Sequence, residues 1–154
     1  RVLQCSSGEN ADTIFENLLI TGGQAERGGG MYCNFSSPTL SNCVFKENSA
    51  TGSQLADGGG GLYCDRSASP TLNNCGFEQN SSTRNGGGIH CDSYSNTTLI
   101  DCVLRGNSAL TGSGGGAHFR SSSTASLVNC RFDENSAHAG GGMFCDSREV
   151  ILEG

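Results

Sequence analysis

The chain has 154 residues, a formal net charge of −6 and 24 glycines, and only 34% of its residues are apolar. A composition this poor in apolar residues folds only if those residues recur with a strict period. The acidic balance lacks any basic run, and no apolar run approaches the ~20 residues needed to cross a bilayer. We therefore expect no nucleic-acid partner and no membrane insertion.

Short apolar segments that follow glycine runs recur along the whole chain. The strand-like RVLQC ends at Cys5, and five glycine phrases follow it in chain order: GGGMYC to Cys33, GGGGLYC to Cys64, GGGIHC to Cys91, GGGAHF to Phe119 and GGGMFC to Cys145. Each segment alternates in period two, which is typical of a β-strand. The glycines allow the preceding loop to turn sharply into a narrow buried strand.

A second phrase follows each of the first five segments. The five copies, in chain order, are FENLLITGGQA (15–25), LSNCVFKENSA (40–50), LNNCGFEQNSS (72–82), LIDCVLRGNSA (99–109) and LVNCRFDENSA (127–137). Leu18 takes the place of the cysteine in the earliest copy, and from there the cysteine places are 25, 32, 27 and 28 residues apart. Self-similarity at such a period predicts a solenoid.

The units predict β coils, because their apolar segments are too short for helices and are separated by Gly, Ser, Asn and Thr. We expect one all-β domain over 1–154, a parallel β-helix with about five full coils, a partial sixth and three short strands per coil. In the second coil these strands fall at about 30–33, 39–41 and 43–45. The predicted repeats are about 1–27, 28–58, 59–85, 86–113, 114–139 and 140–154.

Stacked coils place equivalent residues in columns at the ~4.8 Å strand spacing. One inward column is Cys5, Cys33, Cys64, Cys91, Phe119 and Cys145, and another is Leu18, Cys43, Cys75, Cys102 and Cys130. A bend column is Asn17, Asn42, Asn74, Asp101 and Asn129. Asparagine tolerates a left-handed bend, and stacked amides can bond from coil to coil. A further polar column is Gly23, Asn48, Asn80, Asn107 and Asn135.

The paired GGG[MLI] and F-x-x-N phrases, such as Phe45 to Asn48 and Phe132 to Asn135, resemble the repeats of the chlamydial polymorphic outer-membrane proteins. More broadly, the whole chain resembles the pectin-lyase-like right-handed parallel β-helices. The resemblance and the general rule for parallel crossovers both imply a right-handed coil. The shared residues build coils rather than sites, so the resemblance implies the fold and leaves the activity open.

Two sets of side chains are candidates for chemistry. In the pectin-lyase-like enzymes clustered carboxylates lie on one outer face; here Asp65 and Asp92, in adjacent coils, could share a cation or could simply open a solvated turn. The outward column of the first strand is Tyr32, Tyr63, His90, His118 and Phe144. Such an aromatic ladder suits sugar rings, a neighbouring molecule or plain cross-strand packing. Its two histidines lack an evident third metal ligand, so we expect no metal site and no cofactor.

Nine cysteines in a short chain indicate an oxidising compartment, and no C-x-x-C pair is present. We favour in-coil disulfides Cys33–Cys43, Cys64–Cys75 and Cys91–Cys102, because these cysteines recur across one turn. Pairing with the next coil (43–64, 75–91, 130–145) and reduced, stacked thiols remain open. Three sequons agree with a secretory route, and we expect glycans on Asn34 and Asn96 in preference to the inward Asn80.

Three functions fit this pattern: a structural subunit of an extracellular filament, a fragment of an adhesin or autotransporter passenger, and a polysaccharide lyase or hydrolase. We favour the non-enzymatic filament at the cell surface, since inserts such as TGSQLADGG are short and monotonous. The strand-like RVLQC and VILEG carry no polar cap, so copies could stack head-to-tail and bring Cys145 beside Cys5. A surface polysaccharide is a further expected partner.

Overall fold

In the computed structural model, which describes residues 1–146 and 149–154, those residues form 22 β-strands and no helix. The first coil contains β1 (Leu3–Cys5), β2 (Ile14–Glu16), β3 (Leu19–Thr21) and β4 (Gln24–Ala25). The second contains β5 (Met31–Asn34), β6 (Thr39–Ser41), β7 (Val44–Lys46) and β8 (Ser49–Ala50). The third contains β9 (Leu62–Asp65), β10 (Thr71–Asn73), β11 (Gly76–Glu78) and β12 (Ser81–Ser82). The fourth contains β13 (Ile89–Cys91), β14 (Asn96–Ile100), β15 (Val103–Arg105) and β16 (Ser108–Ser113). The fifth contains β17 (Ala117–Arg120), β18 (Thr124–Val128), β19 (Arg131–Asp133) and β20 (Ser136–Ala139), and the sixth β21 (Met143–Asp146) and β22 (Val150–Glu153).

Strands at the same place in successive coils pair in parallel and form four sheets. The first sheet is β1-β5-β9-β13-β17-β21, the second β2-β6-β10-β14-β18-β22, the third β3-β7-β11-β15-β19 and the fourth β4-β8-β12-β16-β20. Five coils contribute to all four sheets and the sixth to two. The predicted all-β parallel solenoid of five coils and a partial sixth is therefore confirmed.

Each complete coil has four strands, one more than the sequence predicts. The additional strand follows the third and is only two residues long in the first three coils, as in Ser49–Ala50. It comes after a turn in which Glu47 has a φ of 53° and Asn48 is buried. A two-residue strand behind a buried polar residue carries no apolar alternation, so the pattern gave no sign of it.

The core is a set of inward columns that run through the coils. Equivalent side chains from successive coils pack directly on one another, as the rings of Phe45 and Phe77 do at 4.6 Å and 2°. The column Leu40, Leu72 and Leu99 is fully buried, and Leu127 is 2% exposed. Burial of this apolar surface is the main stabilising term of the fold.

The glycine runs make room for backbone that passes very close to neighbouring coils. Gly59 has a φ of 66°, in the left-handed region that favours glycine. A Cβ on Gly60 would collide with the carbonyl oxygens of Ser81 and Gly87. The triplet thus makes room at the turn into β9, and it recurs before the other strands of the first sheet from β5 to β21. Nowhere in the described part of the chain is there a helix long and apolar enough to cross a membrane.

Candidate functional site

The outer face of the first sheet carries one ring in each coil from the second to the sixth, in register, with Gln4 at the equivalent place in the first coil. We call this column the outer ladder; it is Tyr32, Tyr63, His90, His118 and Phe144. Successive ring centroids lie 5.6, 5.0, 4.9 and 5.2 Å apart. The guanidinium of Arg1 covers the Tyr32 ring at 4.6 Å. The spacing is that of aromatic packing: the first two pairs are stacked at 25° and 23°, and the last two meet edge to face at 74° and 63°.

The middle of the outer ladder is covered, although the sequence predicted an outward column. Tyr63 and His90 are 0% exposed and His118 is 5% exposed. The cover is the segment 51–58, which we call the 51–58 loop. It is anchored by Tyr63, whose hydroxyl donates to the Ala56 carbonyl at 2.8 Å. The ladder points away from the coil interior but is a second, smaller core.

Three further contacts fasten the 51–58 loop to neighbouring coils. Asn85 Nδ2 and Arg120 Nη1 both donate to the carbonyl of Leu55, at 2.8 and 2.7 Å. Arg27 Nε donates to Asp57 Oδ1 at 2.6 Å, and the Asp57 side chain is only 6% exposed. Burial is the largest single cause and lowers the pKa of Arg27, but the bond to Asp57 and the nearby charges of Tyr63, Asp57 and Asp65 together outweigh it, so the pKa is raised. A partly buried, charge-assisted bond of this kind holds the loop more firmly than a surface pair.

The two histidines of the ladder are buried without adequate hydrogen bonding. Both ring nitrogens of His90, and Nδ1 of His118, have no partner among the described residues. Burial, with His118 as the next cause, lowers the pKa of His90 well below its ordinary value. The Asn85 carbonyl opposes this shift but lacks the geometry of a hydrogen bond. Burial and the charge of Arg120 lower the pKa of His118 to about 4. Both rings are therefore neutral near pH 7.

A groove of about 230 Å³ opens beside the 51–58 loop. It is lined by Leu55, Asn85, Ser113, His118, Arg120, Phe144 and Asp146. Through this groove solvent reaches the last part of the outer ladder. The single arginine there already binds the Leu55 carbonyl, and its Nε lies 3.8 Å from Asp92. The groove therefore offers mixed charge rather than a converging set of catalytic groups.

The candidate cation ligands Asp65 and Asp92 each face an arginine. Asp65 Oδ2 lies 3.9 Å from Arg66 and accepts a 3.4 Å bond from the Tyr32 hydroxyl. Asp92 is 5% exposed and faces Arg120. Within residues 1–146 and 149–154, no three His, Cys, Asp or Glu side chains are grouped to hold a metal ion. The nearest charged partner of each carboxylate is therefore an arginine side chain.

A buried amide column lies inside the coils, and we call it the inner ladder. It is Asn48, Asn80, Asn107 and Asn135, with Gly23 at the equivalent place in the first coil. Asn80 Oδ1 accepts from Asn48 N and Nδ2 at 3.1 and 3.0 Å. Asn80 Nδ2 donates to the Phe45 carbonyl at 2.9 Å and to Asn107 Oδ1 at 3.0 Å. The sequence predicted this column, but it did not predict that the column forms the main polar network of the core.

The bend column behaves differently because it lies at the surface. Its residues Asn17, Asn42, Asn74, Asp101 and Asn129 have φ values of 56°, 53°, 50°, 54° and 52°. Two exposed side-chain bonds link its coils, from Asn74 to Asn42 at 2.8 Å and from Asn129 to Asp101 at 3.1 Å. The left-handed bend is thus present in all five coils, whereas the amide bonding is intermittent.

All nine cysteines are free thiols in this structure, and the in-coil disulfides Cys33–Cys43, Cys64–Cys75 and Cys91–Cys102 stay a prediction. Equivalent cysteines of successive coils lie along the axis, one coil apart. Cys33 interacts with Cys5 and Cys64 rather than across the coil. Cys5, expected to face another subunit, is buried, whereas Cys145 is exposed.

The three sequons differ in accessibility. Asn96 is exposed and its Oδ1 accepts a 2.7 Å bond from Thr124. Asn34 is half-buried, and its Oδ1 has no partner among the described residues. Asn80 is 0% exposed and belongs to the inner ladder. A glycan on Asn80 is incompatible with this packing, and modification of Asn34 and Asn96 stays a prediction.

Comparison with known families agrees with this geometry. A family profile described as "Right handed beta helix region" matches residues 56–154, more than half of the chain. The chain belongs to the right-handed β-helix family. A second profile, the Chlamydia polymorphic membrane protein repeat, matches residues 42–65 of this β-helix. That segment runs from the bend before β7 to the end of β9. No curated protein and no solved structure is significantly similar to the chain.

Proposed function

We propose that this β-helix is a non-catalytic scaffold displayed at the cell surface, in the manner of an autotransporter passenger domain. The observation that carries the proposal is the continuous parallel pairing of the four sheets, combined with the match of residues 42–65 to the Chlamydia polymorphic membrane protein repeat. A stack of this kind is a stiff, extended element whose coils contact only their neighbours. Its side chains are committed to packing rather than to a converging reactive site.

The proposal is tested by localisation and by activity. Intact cells that naturally make the protein are labelled with an antibody against residues 1–154 and then treated with an external protease. Labelling that the protease removes supports surface display, and labelling only after permeabilisation contradicts it. Depolymerisation of acidic or neutral polysaccharides by the purified chain, with and without calcium, would contradict the non-catalytic role.

We further propose that copies of the 154-residue chain stack head-to-tail into filaments. Leu152 occupies the column in which Leu40, Leu72 and Leu99 are 0% exposed, yet it is itself 64% exposed. Beside it an apolar cavity of about 430 Å³ is lined by residues of the last two coils, including Cys130 and Phe132. A second copy that pairs its β1 with β21 and its β2 with β22 covers this surface. Such a contact does not close on itself and therefore propagates.

Electron microscopy and sedimentation velocity test the stacking. Leu152→Lys places a charge in the open column, and we expect it to abolish filaments. Leu110→Lys is the matched control, because Leu110 is 68% exposed in β16, where strands pair on both sides. Filaments in the wild type and the control but not in Leu152→Lys support stacking. A monodisperse wild-type monomer at high concentration contradicts stacking and leaves surface display to its own test.

A further inference from the structure

Eight of the nine cysteines form two continuous columns, each with four thiols in adjacent coils. The first thiol column is Cys5, Cys33, Cys64 and Cys91, and the second thiol column is Cys43, Cys75, Cys102 and Cys130. Phe119 ends the first column and separates it from Cys145. Each column is thus an uninterrupted run of four cysteines, and Cys145 belongs to neither run.

Within each column, neighbouring thiols lie one coil apart. In the first column the four cysteines are in register on β1, β5, β9 and β13. In the second column the coils are held in step by backbone bonds to the carbonyls of Cys43, Cys75 and Cys102, which accept from Gly76 N, Val103 N and Arg131 N. Residues in register on parallel neighbours have Cα atoms ~4.8 Å apart, which falls within the range of about 4.4–6.8 Å seen in disulfides.

A row of four thiols that reach only their neighbours can be paired completely in one way. Each terminal thiol has one neighbour and must take it, which leaves the remaining two for each other. We propose that oxidation forms four inter-coil disulfides: Cys5–Cys33, Cys64–Cys91, Cys43–Cys75 and Cys102–Cys130. This pairing is independent of the function proposed above.

The two columns are offset by one coil, and this offset distributes the bridges evenly. The first column joins coil one to coil two and coil three to coil four. The second column joins coil two to coil three and coil four to coil five. Each of the first four steps along the stack therefore receives one covalent link. The bridges run parallel to the axis, and each one joins two adjacent coils covalently.

The chemistry is thiol–disulfide exchange with a low-molecular-weight disulfide such as oxidised glutathione. One thiol loses its proton and attacks the oxidant, which releases one glutathione thiol; the neighbouring thiolate then displaces the second. Each bridge thus passes two electrons and two protons to the oxidant, which leaves as two molecules of glutathione thiol. Because seven of these eight thiols are buried, the bridges form while the coils stack.

Two features bear on where and how firmly the bridges form. Cys130 is half-buried, and its bond from Cys102 lowers its pKa to about 7, so it is the most readily ionised thiol of its column. Parallel neighbours hold their Cβ atoms nearly a strand spacing apart, whereas disulfides prefer about 3.8 Å. The strands must approach one another slightly, and we expect the bridges to be reduced more easily than unstrained ones.

Tryptic mapping distinguishes this pairing from the in-coil alternative and from the alternative that links Cys130 to Cys145. The protein is unfolded with reductant, refolded in a glutathione redox buffer, alkylated, unfolded again and digested without reduction. We expect one linked species of peptides 2–27, 28–46 and 67–84, and a second of peptides 47–66, 85–105 and 121–131. Peptide 132–148, which carries Cys145, should be free and alkylated.

The alternative pairings give different maps. In-coil bridges close 28–46 and 85–105 internally and link 47–66 to 67–84. Pairing of Cys130 with Cys145 links 121–131 to 132–148. Either map, or alkylation of all nine cysteines after oxidative refolding, overturns the proposal.

Single variants test the neighbour rule. Cys64→Ala should free Cys91 alone and leave the second linked species without peptide 47–66. Cys145→Ala, the matched control, should leave both linked species intact. Rearrangement of the remaining bridges in either variant contradicts the proposal. If Cys64→Ala does not refold, the wild-type and Cys145→Ala maps decide the pairing by themselves.

Discussion

The inner and outer ladders of this β-helix are both columns of equivalent residues from successive coils, but they differ in whether their buried polar groups are hydrogen-bonded. Asn48, Asn80 and Asn107 of the inner ladder are buried, and the Asn80 amide has partners for both its oxygen and its nitrogen. The outer ladder buries His90 with both ring nitrogens unpaired. Buried polar groups are costly unless they are bonded, so the inner ladder stabilises the stack and the outer ladder is its weaker side.

The largest expected effect comes from breaking the inner ladder. Asn80→Ala leaves the Asn48 amide groups and the Phe45 carbonyl without their partner in the core. We expect the free energy of unfolding to fall by about 4 kcal/mol. Urea denaturation followed by circular dichroism measures this loss.

Asn74→Gly is the control, because Asn74 belongs to the exposed bend column and has a φ of 50°. Glycine adopts that conformation freely, so we expect a change below about 0.5 kcal/mol. Equal losses in the two variants would contradict the distinction between buried and exposed amides.

The second effect concerns the space that glycine leaves for the inner ladder. A Cβ on Gly88 would lie 2.5 Å from the Gly116 carbonyl oxygen and 3.2 Å from Asn107 Cγ. We expect Gly88→Ala to lower stability by about 3 kcal/mol through overpacking. Gly76→Ala should be neutral or slightly stabilising, because its nearest neighbours would lie 3.8 Å away. Thermal unfolding compares the two, and a tolerated Gly88→Ala would show that the triplet is not needed for close approach.

The third effect is the loss of stability at acid pH that the buried histidines of the outer ladder cause. The pKa of His118 is lowered to about 4, below the ordinary value near 6.5 that the unfolded chain retains. Below pH 6.5 His118 binds a proton in the unfolded state but stays neutral in the folded state. The free energy of unfolding is therefore highest above this pH and decreases as the pH falls toward 4. Between pH 7.5 and 5 we expect a loss of about 2 kcal/mol from His118.

Buried His90, whose pKa is also lowered, adds to this loss in the same direction. Urea midpoints at several pH values measure the effect. The double variant His90→Phe, His118→Phe keeps a ring at each place and should have a flatter pH profile. An unchanged profile in that variant would assign the acid sensitivity to other groups.

The smallest effect concerns the cover of the outer ladder. Arg27→Ala removes the bond to Asp57 that anchors the 51–58 loop. We expect hydrogen exchange in this loop to accelerate about five-fold, which corresponds to about 1 kcal/mol of local opening. Arg66→Ala, which removes an exposed 3.9 Å pair to Asp65, should leave the exchange unchanged. Faster exchange in both variants would contradict a specific anchor.

The repeat made most of the fold predictable, because equivalent positions such as Cys33 and Cys64 align in the sequence as they do in the sheets. The site was less predictable. The period-two pattern places Tyr63 and His90 on the outer face but does not show that 51–58 folds over them, since that insert is polar and belongs to one coil only. Similarly, the cysteine columns were visible, whereas the choice of neighbour depended on the axial spacing between coils.

The inner ladder also has a direction. Each amide donates to the oxygen of the next coil and accepts from the coil before it, as Asn48, Asn80 and Asn107 do in turn. The amide dipoles therefore point the same way and reinforce one another along the axis. In a stack that grows from its N-terminal coil, each added coil brings an amide oxygen to a donor on the coil before it. The ladder thus has a polarity along the axis, and an inverted coil would place donor against donor.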